Sequence, residues 1–129
     1  TNNDVINDAK LSMGMVCTKA LDQFFHVNIG YHNPSKCFVV RIWLAKSQDV
    51  ASKYRVNILI KKDSRSVCFD GIKVCSTENI PSIDECMEEN GNLFMCIPRG
   101  LAKNFSIERE DGLVDRKEEL CVEFAFKEI

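Results

Sequence analysis

The side chains best suited to chemistry in this sequence are seven cysteines (Cys17, Cys37, Cys68, Cys75, Cys86, Cys96, Cys121), two histidines (His26, His32) and a knot of carboxylates at Asp84, Glu85, Glu88 and Glu89. A thiol beside an imidazole could form an activated nucleophile. The same residue types could ligate zinc, and the carboxylates could serve acid–base chemistry or calcium. Spacing weighs against each. There is no Cys-x-x-Cys pair, and nothing around any cysteine resembles a nucleophile motif. The carboxylates read as a solvated acidic loop. No catalytic residue and no metal ligand is therefore assigned, and a thiol enzyme is the remote alternative. An odd cysteine count without paired spacing also argues against a secreted disulfide framework. Several thiols (Cys37, Cys96, Cys121) fall inside apolar alternations, where a free cysteine behaves as a small hydrophobe. The compartment expected is a reducing one, cytoplasmic or nuclear.

At 129 residues the chain holds one domain's worth of material, enough to bury a core without disulfides or metal. Its net charge of −2, with basic residues scattered, gives no footprint for nucleic acid or an anionic membrane. No apolar run approaches the roughly 20 residues that span a bilayer. The start, Thr1-Asn2-Asn3-Asp4, has no secretory signal pattern. The missing initiator methionine is what an excised piece of a longer protein would show. The first ten residues are polar and read as a flexible extension, which leaves residues 11–129 as the folded domain.

The elements follow from period-two alternation, in which residues two apart share a face. Leu11 to Thr18, with Met13 and Met15 alternating, suits a strand or a short helix. Phe24 to Tyr31 places Phe25, Val27, Ile29 and Tyr31 on one face and Phe24, His26, Asn28 and Gly30 on the other. After the turn at His32-Asn33-Pro34-Ser35-Lys36, Phe38, Val40, Ile42 and Leu44 point inward, with Arg41 and Trp43 on the opposite side. Tyr54, Val56, Ile58 and Ile60 share a face in the next strand. A hairpin loop over 62–66 leads to Val67–Phe69, and Asp70-Gly71 reads as a tight turn feeding Ile72–Cys75. An irregular stretch over 76–92 holds one helical turn near Ile83–Glu88. Then come a strand at Leu93–Ile97, a short helix or turn at Pro98–Asn104, and a turn at Asp111-Gly112. Leu120, Val122, Phe124 and Phe126 form the inward face of the last strand. The fold expected is all-β, an antiparallel sandwich of about seven or eight strands with short helical turns.

The order of these segments resembles the substrate-binding domain of the seven-in-absentia (Siah) ubiquitin ligases, a branch of the TRAF-like (MATH) β-sandwiches. The features that carry the resemblance are a strand containing Phe25-His26, the aromatic strand Cys37-Phe38-Val39-Val40, a polar connection ending in Tyr54-Arg55, then Leu93-Phe94-Met95-Cys96-Ile97 and an acidic loop over 108–119 before the closing strand. It covers residues 11–129. The chain departs from the family in lacking a tryptophan near Leu11–Lys19 and in a longer segment over 102–119, so it is similar to a divergent member.

The resemblance implies a domain without catalysis of its own, which recognises protein substrates or adaptors through short extended peptides and forms a homodimer. It also implies a RING and zinc fingers upstream, with zinc bound there and no cofactor in this domain. The alternative is a TRAF/MATH-type adaptor or dimerisation scaffold without ligase activity. Edge-strand pairing suits peptide capture, and it places the expected peptide-binding residues at Met13, Met15, Val16, Thr18, Phe24, His26 and Asn28. The methionines are equally readable as core. Trp43 is a candidate interface anchor or a filler of the second layer of the sandwich.

Overall fold

The computed structural model describes residues 3–11, 14–88, 95–109 and 117–129, with side chains described outside 7–11, 106–109 and 117–119. Two five-stranded sheets pack face to face. The first contains β1 (Asn3–Leu11), β5 (Tyr54–Lys62), β6 (Arg65–Lys73), β9 (Ser106–Arg109) and β10 (Lys117–Glu128), in the order β1-β10-β5-β6 with β9 beside β10. The second contains β2 (Gly14–Ala20), β3 (Gln23–His32), β4 (Cys37–Leu44), β7 (Cys75–Ser76) and β8 (Met95–Pro98), in the order β2-β3-β4-β7 with β8 also on β4. All pairings are antiparallel except the two-residue contact of β7 with β4. Among the described residues, three short α-helices lie in the connections, α1 (Gln48–Ala51), α2 (Ile83–Glu88) and α3 (Arg99–Phe105), with a 3-10 turn at Thr77–Asn79. This is an all-β sandwich.

The alternation read from the sequence is the alternation that builds the core. Phe25, Val27 and Ile29 face inward from β3, Val40, Ile42 and Leu44 from β4, Val56, Ile58 and Ile60 from β5, and Val122, Phe124 and Phe126 from β10. Phe25 meets Phe126 at 4.6 Å between ring centroids and the edge of Tyr54 at 5.4 Å, so three aromatic rings from three strands join the two sheets. Such pairs add about 0.5–1.5 kcal/mol beyond the area they bury.

Two local expectations are corrected. Residues 3–10, expected as part of a flexible extension, lie in β1, which pairs with β10 from Asn3↔Lys127 to Leu11↔Leu120, across an irregularity between Ile6 and Ala9. Polar composition misled here because β1 is an edge strand, which needs one apolar face at most. Asp70-Gly71 is likewise no turn. Both residues lie within β6, opposite Asn57, where the pairing register shifts between Val56 and Ile58. Gly71 has φ +68°, and its N–H donates to Asn57 Oδ1 at 2.7 Å. The left-handed backbone that a hairpin turn requires is the one a bulge requires, so the dipeptide alone does not separate them. The strand expected over Leu11–Thr18 begins at Gly14 and runs to Ala20. The turn expected at Asp111-Gly112 lies outside the described residues.

β1 is tied across the sandwich by one side chain. The β2–β3 turn is made by Leu21 and Asp22, both in the left-handed region (φ 50° and 57°). The Leu21 N–H donates to Asp4 Oδ2 of β1 at 3.1 Å, and the Leu21 side chain packs against the core. Removing the acceptor leaves a part-buried N–H unpaired, at a cost of about 1–2 kcal/mol. Asp4→Ala is therefore expected to lower stability by that amount in urea unfolding, whereas a frayed N-terminus would give no measurable change.

Candidate functional site

In a sandwich whose inner faces are filled, chemistry or binding must use an outer face or an edge. β2 ends its sheet, and among the described residues nothing pairs with its far side. Every second residue of such a strand presents N–H and C=O groups outward. Its pairing with β3 is regular: Met15↔Asn28, Val16↔Val27, Cys17↔His26, Thr18↔Phe25 and Lys19↔Phe24. Directly opposed residues share a face. Met15, Cys17, Lys19, Phe24, His26 and Asn28 thus form one outer strip, while Val16 and Thr18 turn toward the interior beside β1.

The strip holds the largest exposed apolar side chains near this edge: Met15 is 55% exposed and Phe24 60%, with Val16 at 37% on the inner side. Lys19 Nζ lies 5.8 Å from the centre of the Phe24 ring. Thr18, His26 and Asn28 are half-buried. Of the residues expected to bind peptide, Met15, Phe24, His26 and Asn28 come together on one face. Val16 and Thr18 line the seam instead, and Met13 lies outside the described residues. Met15 is not core.

Trp43 occupies the outer face of the same sheet but is only 8% exposed. His26 stacks over it at 6.1 Å with a 23° interplanar angle, and the Arg41 guanidinium lies 5.7 Å from its ring centre. The chain itself therefore covers Trp43 and leaves little of it for a partner.

Sequence reading passed over the residue that organises this surface. Arg41 donates from Nε and Nη2 to Asn28 Oδ1 (3.3 and 2.7 Å) and from Nη1 to the Pro81 carbonyl (2.7 Å). Asn28 Nδ2 in turn donates to the Gly14 carbonyl at the start of β2, at 3.2 Å. One chain of hydrogen bonds thus runs from the edge strand through β3 and β4 to the segment before α2. That segment sits close because residue 30 is glycine: a Cβ there would collide with the Ile83 side chain. The available signal was an arginine interrupting the apolar run Phe38–Leu44, since a charge placed there needs partners.

The residues considered for chemistry are placed as follows. His32, read from the sequence as the start of a turn, closes β3, and its side chain is only 15% exposed. The Ser35 N–H donates to its Nδ1 at 3.3 Å, which leaves Nε2 to face Asp84 Oδ1, also at 3.3 Å. Cys17 and His26 are cross-strand neighbours, but the imidazole is stacked on Trp43. The Cys68 and Cys96 thiols are both pushed up. Cys68 rises because its S–H donates to Asp70 Oδ1 at 3.0 Å and because it is partly desolvated; Cys96 rises through burial, with Cys37 adding to the effect. A nucleophile needs the opposite shift. Asp84, Glu85 and Glu88 are exposed on α2, where Glu85 and Ser82 bond reciprocally: the Glu85 N–H donates to Ser82 Oγ, and Ser82 Oγ donates to Glu85 Oε1. Glu89 lies outside the described residues. Among the described residues no group of three His, Cys, Asp or Glu side chains is placed to hold a metal ion. Nor does any described helix have the length and apolarity to cross a membrane.

No protein-family model matches the chain, and no curated protein matches it significantly. The geometry by itself defines a β-sandwich in which β2, one of the edge strands, is partly apolar and is braced from behind by Arg41 and Asn28.

Three outcomes are expected. Arg41→Ala should cost about 2 kcal/mol, with Arg41→Lys failing to restore it because an ammonium cannot span both acceptors. A double-mutant cycle with Asn28→Ala should show coupling of about 1 kcal/mol; simple additivity would mean the two residues act separately. Asp70→Asn should release the Cys68 thiol toward its ordinary pKa. Its alkylation at a pH of about 8 should then speed up several-fold, with the rate at Cys17 as the internal reference.

Proposed function

We propose that this chain is the protein-recognition domain of a Siah-like ubiquitin ligase, which captures substrates or adaptors by pairing an extended peptide with β2 and works as a homodimer. The observation that carries the reading is the free edge of β2, with Met15 and Phe24 exposed on one side and Val16 on the other. An added strand would gain main-chain hydrogen bonds along the edge, and its alternate side chains would fall on those two sides. Methionine suits such a surface because its unbranched, polarizable side chain adapts to different partners.

The segment order described above supports the family assignment. Seven free thiols suit a reducing compartment, the cytoplasm or nucleus. In this reading the domain supplies selectivity, while ubiquitin transfer and zinc belong to a RING and zinc fingers elsewhere in the same protein. A TRAF/MATH-type adaptor would use the same strip without them.

The test is fluorescence polarisation with a labelled Pro-x-Ala-x-Val-x-Pro peptide, the motif implied by the Siah resemblance. Binding with Kd on the order of micromolar is expected, weakened at least about tenfold in Met15→Asp, which places a charge on the apolar strip. Methylating the peptide's backbone nitrogens that face β2 should abolish binding, because it removes the ladder donors. Undiminished binding by the methylated peptide would rule out strand addition. A folded protein that ignores the peptide would remove this motif as its ligand.

A further inference from the structure

On the first sheet, β10, β5 and β6 place three cations directly across from one another: Lys127↔Arg55↔Lys73. All three point to the outer face of their sheet, since the flanking row Phe126↔Val56↔Ile72 points to the core. Like charges in directly opposed positions are destabilising. Among the described residues, no carboxylate lies within ion-pair distance of any of them, although the chain carries more acids than bases. Lys61, by contrast, has Glu123 at 3.6 Å on the same face.

Arg55 is also fixed in place. Its Nη1 donates to the Ser52 carbonyl at 2.9 Å and to the Tyr54 carbonyl at 2.8 Å. Of the five guanidinium N–H groups, those on Nε and Nη2 make no hydrogen bond to the described residues. Arg55 and Lys73 both line a cleft of about 620 Å³ between the C-terminal end of α1, β5–β6 and the segment before α2, with Ser52, Asn79, Glu78 and Glu85 among its other walls. That volume lies within the range of ligand sites.

We propose that this cleft is a second protein-docking site, which takes a partner segment carrying an acidic side chain next to a basic one. The acid pairs with Arg55 and Lys73, and the base faces Glu78 and Glu85. Two carboxylates in the same cleft disfavour a phosphate dianion or a nucleic-acid backbone, so a single carboxylate is the chemistry that fits. An arginine already held by two carbonyls loses little freedom on pairing. The site shares no side chain with the β2 strip, and only its wall at Pro81 touches the Arg41–Asn28 chain that reaches β2, so one domain could hold two partners or grip one partner twice.

The experiment is a ¹H–¹⁵N shift titration of the whole chain with acetyl-Ser-Gly-Glu-Lys-Gly-Ser-amide, its Glu-to-Gln analogue, and acetate. The Glu peptide is expected to shift the Ser52, Lys73 and Asn79 amides with a midpoint of about 1 mM. Binding should weaken about fivefold or more in the Gln analogue, in Lys73→Gln, in Arg55→Gln, and between about 0.05 and 0.5 M salt. Lys73 is exposed, so its replacement keeps the fold; by relieving the repulsion it should raise Tm by about 1–3 °C at low salt. Equal binding of the Gln peptide, shifts mapping elsewhere, or no shift at about 10 mM would overturn the proposal. Acetate matching the Glu peptide would overturn it as a protein-docking site.

Discussion

The structure depends on the meeting of Phe25, Tyr54 and Phe126 between the two sheets. Each ring belongs to a different strand, and each reaches the interior only because its strand's side chains alternate with a period of two residues. A slip of one residue in any of the three would send its whole apolar set to solvent and bring outer-face residues inward. In β10 it would bury Glu123 and Lys127; in β5 it would bury Arg55 and Lys61. The aromatic contact therefore fixes register as well as contributing energy, and everything at the surface inherits its position from that register.

Once the inner faces are committed, the outer faces differ in a way that bears on function. On the β2–β3–β4 sheet the outer face is braced by hydrogen bonds, with Arg41 joining Asn28 to the Pro81 carbonyl and Asn28 holding the start of β2. Polar groups that are half-buried and fully partnered specify geometry more than they add stability. Here they tie the start of an edge strand to β3 and the Pro81 segment to β4. On the other sheet the outer face carries a Lys61–Glu123 ion pair and a row of three cations.

Most of the core was legible from the chain because burial on one face imposes alternation, and alternation is local. The inward sets of β3, β4, β5 and β10 could be named residue by residue for that reason. Two places misread locally shared a different cause. β1 looked like a frayed tail because an edge strand with polar residues lacks a strong pattern. Asp70-Gly71 looked like a turn because a bulge uses the same left-handed glycine. In the candidate site, alternation put Phe24, His26 and Asn28 on one face of their strand, and the β2–β3 register adds Met15 to that face while turning Val16 and Thr18 to the other. Arg41 was not assigned, since its partners are 13 and 40 positions away.

The amino-acid sequence by itself determined the class of fold, the composition of the core and the side of each strand on which a residue lies, because these depend on spacing within a few residues. Only the tertiary structure decided which strand is left at the edge, which outward residues are covered, and which charges stand without partners. Trp43 and Phe24 both point outward from the same sheet, yet one lies beneath His26 and Arg41 and the other is open. That difference is set by contacts between strands and loops distant along the chain, and no local pattern encodes it.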